Sequence, residues 1–439
     1  MLKKKFVVLF ATTLSGLCFN NFAEATVLNN SYKEVIDHVW QIVYRDFLDS
    51  NGNFQKSNWI ELRKEFLSKT YSDSNEAYDA IRDMLSKLDD SYTRFLDPRE
   101  FNQMRIDTSG ELTGVGIQII KDKESDALII ISPIEGTPAF DAGIKAKDEI
   151  LSIDDISTEG MNLEDAVKLI RGQRGTKVKL EILRGSKSFF KVLSREKIEI
   201  KSVSSRVNQT KNGLLVGYVR IKQFNANASR ETRDAINDLE TKKVAGYILD
   251  LRSNPGGLLD SSIEISRHFI NKGVIVSTLS KDGLKETKRG NGQALTKKPL
   301  VVLVNEGSAS ASEIVSGAIK DNKRGKLVGK KTFGKGLVQS MRTLVDGSGL
   351  TVTVAKYLTP NGTDINKFGI VPDIEVRMNM LSDFQREIGT RKDKQYNAAE
   401  KELINIINKK NQISQFNPET TNLKAFLKII KKDKVFSLN

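Results

Sequence analysis

Between Ile198 and Val376, short and almost wholly apolar runs alternate with amphipathic helical patterns, which constrains the fold more than any other feature of this chain. The apolar runs are Leu214–Ile221, Ala245–Leu251, Val274–Thr278, Leu300–Val304 and Leu327–Gly329, and helical spacing falls at 229–241, 258–270 and 310–320. Strands that alternate with helices and read as buried on both faces predict an α/β core. Later runs at Leu350–Tyr357 and Ile374–Val376 are expected as sheet edges or a crossing hairpin.

The flanks read differently. Tyr32, Val35, Ile36, Val39, Trp40, Val43 and Phe47 recur at helical spacing, with His38 off the stripe. Further helical pattern covers Trp59–Phe66 and Tyr78–Leu88, so residues 26–106 are expected as a helical N-terminal domain. From Ser109 the period changes to strands, at Gly116–Ile120, Ala127–Ile131, Glu149–Ile153 and Val178–Leu183. Between them Asn162, with Asp165 three residues on, caps a short helix whose apolar face is Leu163, Ala166, Val167 and Ile170. The Lys-rich stretch 378–439 reads as a basic helical C-terminal segment, with a loop near Ser414–Thr421.

The order of the Gly114-Val115-Gly116-Ile117 loop, the AGIKAKDEILSID stretch and that helix resembles a PDZ domain over residues 107–196. An ordinary hairpin in a β-rich domain is the plainer alternative. A PDZ domain takes a peptide as an added strand and gives loop N–H groups to its C-terminal carboxylate. Gly114, Val115, Gly116 and Ile117 would form that loop, and Val167 and Ile170 a wall of the side-chain pocket.

Composition removes several chemistries. The 439 residues hold two histidines, His38 and His268, and one cysteine, Cys18. Zinc sites of several Cys or His, haem, iron–sulfur clusters and disulfide frameworks lack their ligands, so neither metal nor cofactor is expected. Lys3, Lys4 and Lys5 precede a mainly apolar run from Phe6 to Cys18, and Ala23-Glu24-Ala25 follows, the layout of a signal peptide over residues 1–25. A buried first helix is the alternative. An exported protein is expected, with the periplasm as its default location. Net charge is +14, and the 63 residues from Arg377 onward carry 13 basic and 7 acidic side chains. No aromatic-studded basic motif accompanies them, so nucleic acid is not the expected partner. Attraction to an anionic membrane face or to acidic partners fits the charge, as does a solvated helical tail.

Three stretches can carry chemistry. Val304-Asn305-Glu306-Gly307-Ser308-Ala309-Ser310-Ala311-Ser312-Glu313 follows a strand and opens a helix, the setting that exposes a serine where helix N–H groups favour an oxyanion. Ser310 with Glu313 is equally a capping box, and the residues alone do not choose. Asp250-Leu251-Arg252-Ser253-Asn254-Pro255-Gly256-Gly257 ends another strand, and its glycines either present bare N–H groups or merely turn the chain. In Lys331-Thr332-Phe333-Gly334-Lys335-Gly336-Leu337-Val338-Gln339, a lysine lies between two glycines. Buried, it would lose its proton readily; exposed, it would be an ordinary surface lysine.

Taken together, GSASASEI, DLRSNPGG, KTFGKGLVQ and LTVTVAKYLTPNGTDIN…GIVPDIEV resemble the carboxyl-terminal processing (tail-specific) serine proteases in identity, order and spacing. The resemblance spans nearly all of residues 30–410 and implies a crotonase-like α/β protease core over 197–377 in a multidomain chain. It implies Ser310 as nucleophile, Lys335 as its base, Gln339 as the residue orienting that lysine, and the N–H groups of Gly256 and Ala311 as oxyanion hole. Ser308, Ser312, Lys330 and Lys331 are left with supporting roles, and His268 as the rival base. The implied partners are protein or peptide substrates with free apolar C-termini, with an adaptor protein and a homodimer also open. A catalytically inactive exported PDZ protein that binds C-terminal peptides is the competing reading. An acyl-CoA enzyme using similar glycine turns is a third.

Overall fold

A computed structural model of the chain describes residues 20–122, 124–377 and 388–415. The expected export segment falls outside the described residues as far as Phe19; Asn20–Asp46 form a helix. Residues 378–387 and 416–439 are likewise outside, so of the basic C-terminal segment it is the helix Lys394–Gln415 that is described. Among the described residues no helix is long and apolar enough to cross a membrane.

The chain forms two compact units. The first holds the residues up to Asn102 with Leu279–Leu284 and Leu337–Lys356. Its core joins Val35, Ile36, Val39 and Val43 of the first helix to Trp59, Phe66, Ile81, Met84 and Leu85 of the following helices. Leu344, Leu350 and Val352 complete that core. They come from a hairpin, Leu337–Thr343 paired antiparallel with the strand Gly349–Leu358, whose other edge takes Arg94–Leu96. The late run at 350–357 thus belongs, as far as Lys356, to the helical unit, whose core Leu350 and Val352 complete.

In the second unit the strands run in the order Val203–Gln209, Leu215–Ile221, Gly246–Asp250, Leu300–Val304, Lys326–Gly329 and Ile374–Glu375. The first is antiparallel to its neighbour and the rest are parallel. Every residue of Gly246–Asp250 and Leu300–Val304 is buried, as expected where both faces of a parallel sheet are covered. On one face Tyr218, Ile248, Val301, Leu303 and Val328 pack on Tyr396, Ala399 and Leu403 of the C-terminal helix. On the other lie the helices Ala228–Thr241, Leu259–Phe269 and Ala311–Asp321, with Tyr247 edge-on to Phe269.

The same unit contains a smaller sheet in the order Ile117–Lys121, Leu128–Pro133, Glu149–Ile153, Lys177–Arg184 and Lys187–Ser194. Asn162 caps the helix Leu163–Ile170, accepting from Asp165 N–H at 2.9 Å. A two-stranded ribbon, Glu111–Gly114 against Glu196–Glu199, connects this sheet to the core. Arg195, at the base of the ribbon, donates to the Leu169 and Ile170 carbonyls and so ties down the C-terminal end of that helix.

Candidate active site

Parallel strands release their loops at the same edge, and ligands of such sheets bind beyond the strands' C-terminal ends. The strands Gly246–Asp250, Leu300–Val304 and Lys326–Gly329 are consecutive neighbours. The Pro-Gly-Gly turn, the serine turn and the lysine loop follow them in that order. Sheet topology therefore assembles three stretches that are far apart in sequence.

The first two turns are laced together. Ala309 N–H and the Ser312 hydroxyl both donate to the Asn254 carbonyl, at 3.0 and 2.9 Å. The Ser308 hydroxyl donates to Leu251 O at 2.8 Å, and Asn305 Oδ1 accepts from Ser253 N–H. Gly256 runs so close to the serine turn that a Cβ on it would lie 2.9 Å from Ser310 Cβ and 3.0 Å from Ala311 N. Its φ of +102° also excludes most side chains. Ser308 and Ser312 are fully buried and engaged in this lacing.

Ser310 stands at the N-cap of Ala311–Asp321 with φ 52° and ψ −112°, a conformation that costs a non-glycine residue about 1–3 kcal/mol. Its hydroxyl makes no cap hydrogen bond. Glu313 N–H bonds to the Ser310 carbonyl at 2.8 Å, and with the Glu313 carboxylate on Ser310 N–H the two residues keep the arrangement of a capping box. Glu313 thus caps the Ser310 backbone, and Ser310 sits at the start of the helix. Ala311 is the first residue of that helix, where an N–H has no partner within the helix.

Glu313 is wholly buried and accepts four hydrogen bonds. Oε2 takes Ser310 N–H and Lys335 N–H, both at 2.9 Å. Oε1 takes Gly334 N–H at 2.8 Å and the Thr332 hydroxyl at 2.5 Å. On the carbonyl side, the buried Tyr357 hydroxyl reaches Lys335 O at 2.5 Å and Ser310 O at 3.2 Å. The sequence signals Glu313 only as a cap partner, and nothing local signals Tyr357.

The three lysines of the loop separate clearly. Lys330 pairs with Glu306 at 2.8 Å and Lys331 is exposed, whereas Lys335 is half-buried. His268 is the rival base, and its Nε2 is taken by Ser229, 3.0 Å from the carbonyl and 3.2 Å from the hydroxyl. Burial holds its pKa below the usual value. Gln339 belongs to the other unit, on Leu337–Thr343 at an irregularity in strand register, and its Nε2 lies 3.5 Å from Thr353 Oγ1. The Gly256 N–H, expected in an oxyanion hole, donates to Asn254 Oδ1 at 2.9 Å.

Arg252, unremarked in the sequence, is completely buried between Asp250 and Asp393. It also donates to Gln395, so the strand end that carries the glycine turn is fastened to the start of the C-terminal helix. Burial opposes the charge of Asp393, but the hydrogen bonds and charge of Arg252 outweigh it and hold the carboxyl below its usual range.

In the smaller sheet Ile117–Lys121 is an edge strand, open for another strand to pair with. The Val115 and Gly116 carbonyls accept from Ala139 and Ile134 N–H. Across a trans peptide the N–H points opposite to the carbonyl, so the Gly116 and Ile117 N–H groups face away from those donors. Val167 is half-buried, while Ile170 and Val115 belong to the core of this sheet, and Gly114 is buried at the loop's start.

The chain matches the profile of Peptidase family S41 over residues 215–376 and that of the PDZ domain over residues 103–183. It is 41% identical over 392 residues to the "Carboxyl-terminal-processing protease" of Synechocystis sp. (strain ATCC 27184 / PCC 6803 / Kazusa), covering 89% of this chain and 91% of the relative. The "Carboxy-terminal processing protease CtpA" of Bacillus subtilis (strain 168) is 38% identical over 333 residues, covering 75% and 70%. Among solved structures, the "Photosystem II D1 C-terminal processing protease" is 36% identical with a TM-score of 0.51, covering 79% of this chain and 93% of that one.

Proposed function

Because the chain belongs to the carboxyl-terminal-processing proteases of peptidase family S41, a serine-type group, we propose that Ser310 is its nucleophile and Lys335 the general base. Processing of protein C-termini is the activity of the family, and the inactive and acyl-CoA readings fall away with that membership. The observation that carries the assignment is the strained Ser310 at the helix N-terminus, bound through one Glu313 carboxylate oxygen to the backbone of Lys335.

In this reading neutral Lys335 takes the Ser310 proton as Oγ attacks the peptide carbonyl. The tetrahedral oxyanion is met by Ala311 N–H and by Gly256 N–H, which must give up or share its bond to Asn254. Lys335 then protonates the leaving amine, and water repeats the sequence on the acyl-enzyme. Gln339 is assigned to orient the lysine. The fold around these groups is proposed to be crotonase-like.

Recognition is assigned to the PDZ domain. A substrate's apolar C-terminus would pair with the edge strand 117–121, place its carboxylate on the Gly114–Ile117 loop and its last side chain against Val167 and Ile170. Docking there would tether the substrate and shift the domain from the catalytic crevice, limiting unselective cleavage. Export by the 1–25 segment to the periplasm, contact with an anionic membrane face through the basic tail, an adaptor and a homodimer belong to the same reading.

The test is turnover of a peptide by Ser310→Ala and Lys335→Arg. Both are expected to be inactive, since a guanidinium cannot give up its proton. Substantial turnover by Lys335→Arg contradicts the assignment, and so does loss of wild-type activity to a chelator or a thiol reagent.

A further inference from the structure

Resting on the Ser310–Lys335 reading, we propose that Glu313 and Tyr357 are positioning residues that together set the spacing of the two catalytic groups. Lys335 lies 25 residues beyond Ser310, on a loop that belongs to a different strand. Proton transfer needs the base within about 2.6–3.2 Å of the hydroxyl, and a misplacement of 1 Å can cost about a hundredfold in rate. Something must therefore fix one loop against the other to within tenths of an ångström.

Glu313 fixes it from the N–H side. Its own position is set by the helix that Ser310 caps, so Ser310 N–H and the carboxylate form one rigid piece. The same carboxylate then seizes three groups of the lysine loop, the Thr332 hydroxyl, Gly334 N–H and Lys335 N–H. All four bonds run inward to the carboxylate, a demand that suits an acceptor-only group. An amide would turn NH2 toward either the Ser310 and Lys335 N–H groups or the Gly334 N–H. Thr332 cannot relieve this by reversing its hydroxyl freely, because its Oγ1 already accepts from Ile370 N–H at 2.7 Å.

Tyr357 fixes the spacing from the carbonyl side. One hydroxyl hydrogen is shared between Lys335 O and Ser310 O, and Tyr357 N–H holds the next carbonyl along, Gly336 O, at 3.0 Å. Both peptides flanking the Ser310 torsion are thus held, the first by Glu313 and the second by Tyr357. A strained φ persists only where its surroundings over-determine it in this way.

The experiment compares the full chain with its Glu313→Gln, Tyr357→Phe and Thr332→Val variants on one peptide substrate. Glu313→Gln is expected to lose about a hundredfold in kcat with KM nearly unchanged, and Tyr357→Phe and Thr332→Val about tenfold. The Glu313→Gln, Tyr357→Phe double variant should lose less than the product of the single losses, because both residues hold one spacing. Cooperative melting and binding of a tail peptide should persist. Wild-type kcat in Glu313→Gln and Tyr357→Phe, while Ser310→Ala and Lys335→Ala are dead, overturns this inference alone. Activity in Ser310→Ala or Lys335→Ala overturns the dyad reading beneath it. If Glu313→Gln does not melt cooperatively, Thr332→Val decides, and unchanged kcat there overturns the inference.

Discussion

Asn254 Oδ1 accepts the Gly256 N–H at 2.9 Å, so one of the two proposed oxyanion donors is engaged within its own turn. Asn254 is fully buried, and its Nδ2 holds the Ile221 carbonyl at 2.9 Å. Asn254→Asp would grip Gly256 N–H more firmly, leave Ile221 O without its donor and set a negative charge beside the developing oxyanion. Removal of one such donor costs about 10²–10³ in kcat. The expected result is a loss in that range with a smaller change in KM, measured by steady-state kinetics on a peptide. An unchanged kcat would exclude Gly256 from oxyanion binding.

The fully buried pair of Arg252 with Asp393 makes a different prediction. Removing one partner of a buried ion pair costs about 3–5 kcal/mol, so Asp393→Asn should lower the urea midpoint markedly at neutral pH. Asp393 has a folded pKa below its ordinary 3.8. Its contribution is therefore complete above 3.8 and is lost as pH falls through the lower folded value. The gap between wild type and variant should narrow only in that acid range. A constant gap from pH 7 to pH 2 would contradict the charge-based origin.

His268 gives a pH dependence nearer neutrality. Its folded pKa is depressed below 6.5 by burial between two helices. The unfolded chain binds a proton that the folded one refuses, so stability falls as pH drops from 6.5 toward the folded value. His268→Gln removes this titration. The melting advantage of wild type over the variant should shrink between pH 7 and pH 5, with peptide turnover at pH 8 within a few-fold of wild type. Abolition of turnover would bring His268 back as a base.

For the PDZ groove, Val167 is the informative position, being half-buried and outside the sheet's core. Val167→Asp should raise KM about tenfold for substrates with an apolar tail, the scale of losing an apolar side chain's contact with a charge put in its place. Short peptides lacking the tail should be cleaved as by wild type. Equal loss on both substrates would remove the groove from substrate selection.

Much of this architecture is readable in the sequence, and the reasons are local. Continuous apolar runs such as Leu300–Val304 announce strands buried on both faces, and Asn162 with Asp165 marks a helix start that the structure reproduces. The three stretches proposed to carry the chemistry are visible because glycine, serine and lysine stand at strand ends. What escaped is long-range. Leu350 and Val352 alternate like any edge strand, and nothing near them says that their apolar face completes the N-terminal helical core. Arg252 reads as a charged turn residue until Asp393, far along the chain, encloses it. Tyr357 looks like one more strand aromatic, and only the fold brings its hydroxyl to both Ser310 and Lys335.

The most direct test of the central claim is a paired digestion. A chain beginning at Thr26, where the proposed export segment ends, and its Ser310→Ala and Lys335→Ala variants would meet an unfolded substrate ending in apolar residues and a second ending in Asp-Asp. Cleavage by wild type alone, faster for the apolar tail, is the expected result. Cleavage by either variant, or equal rates on the two tails, would contradict it.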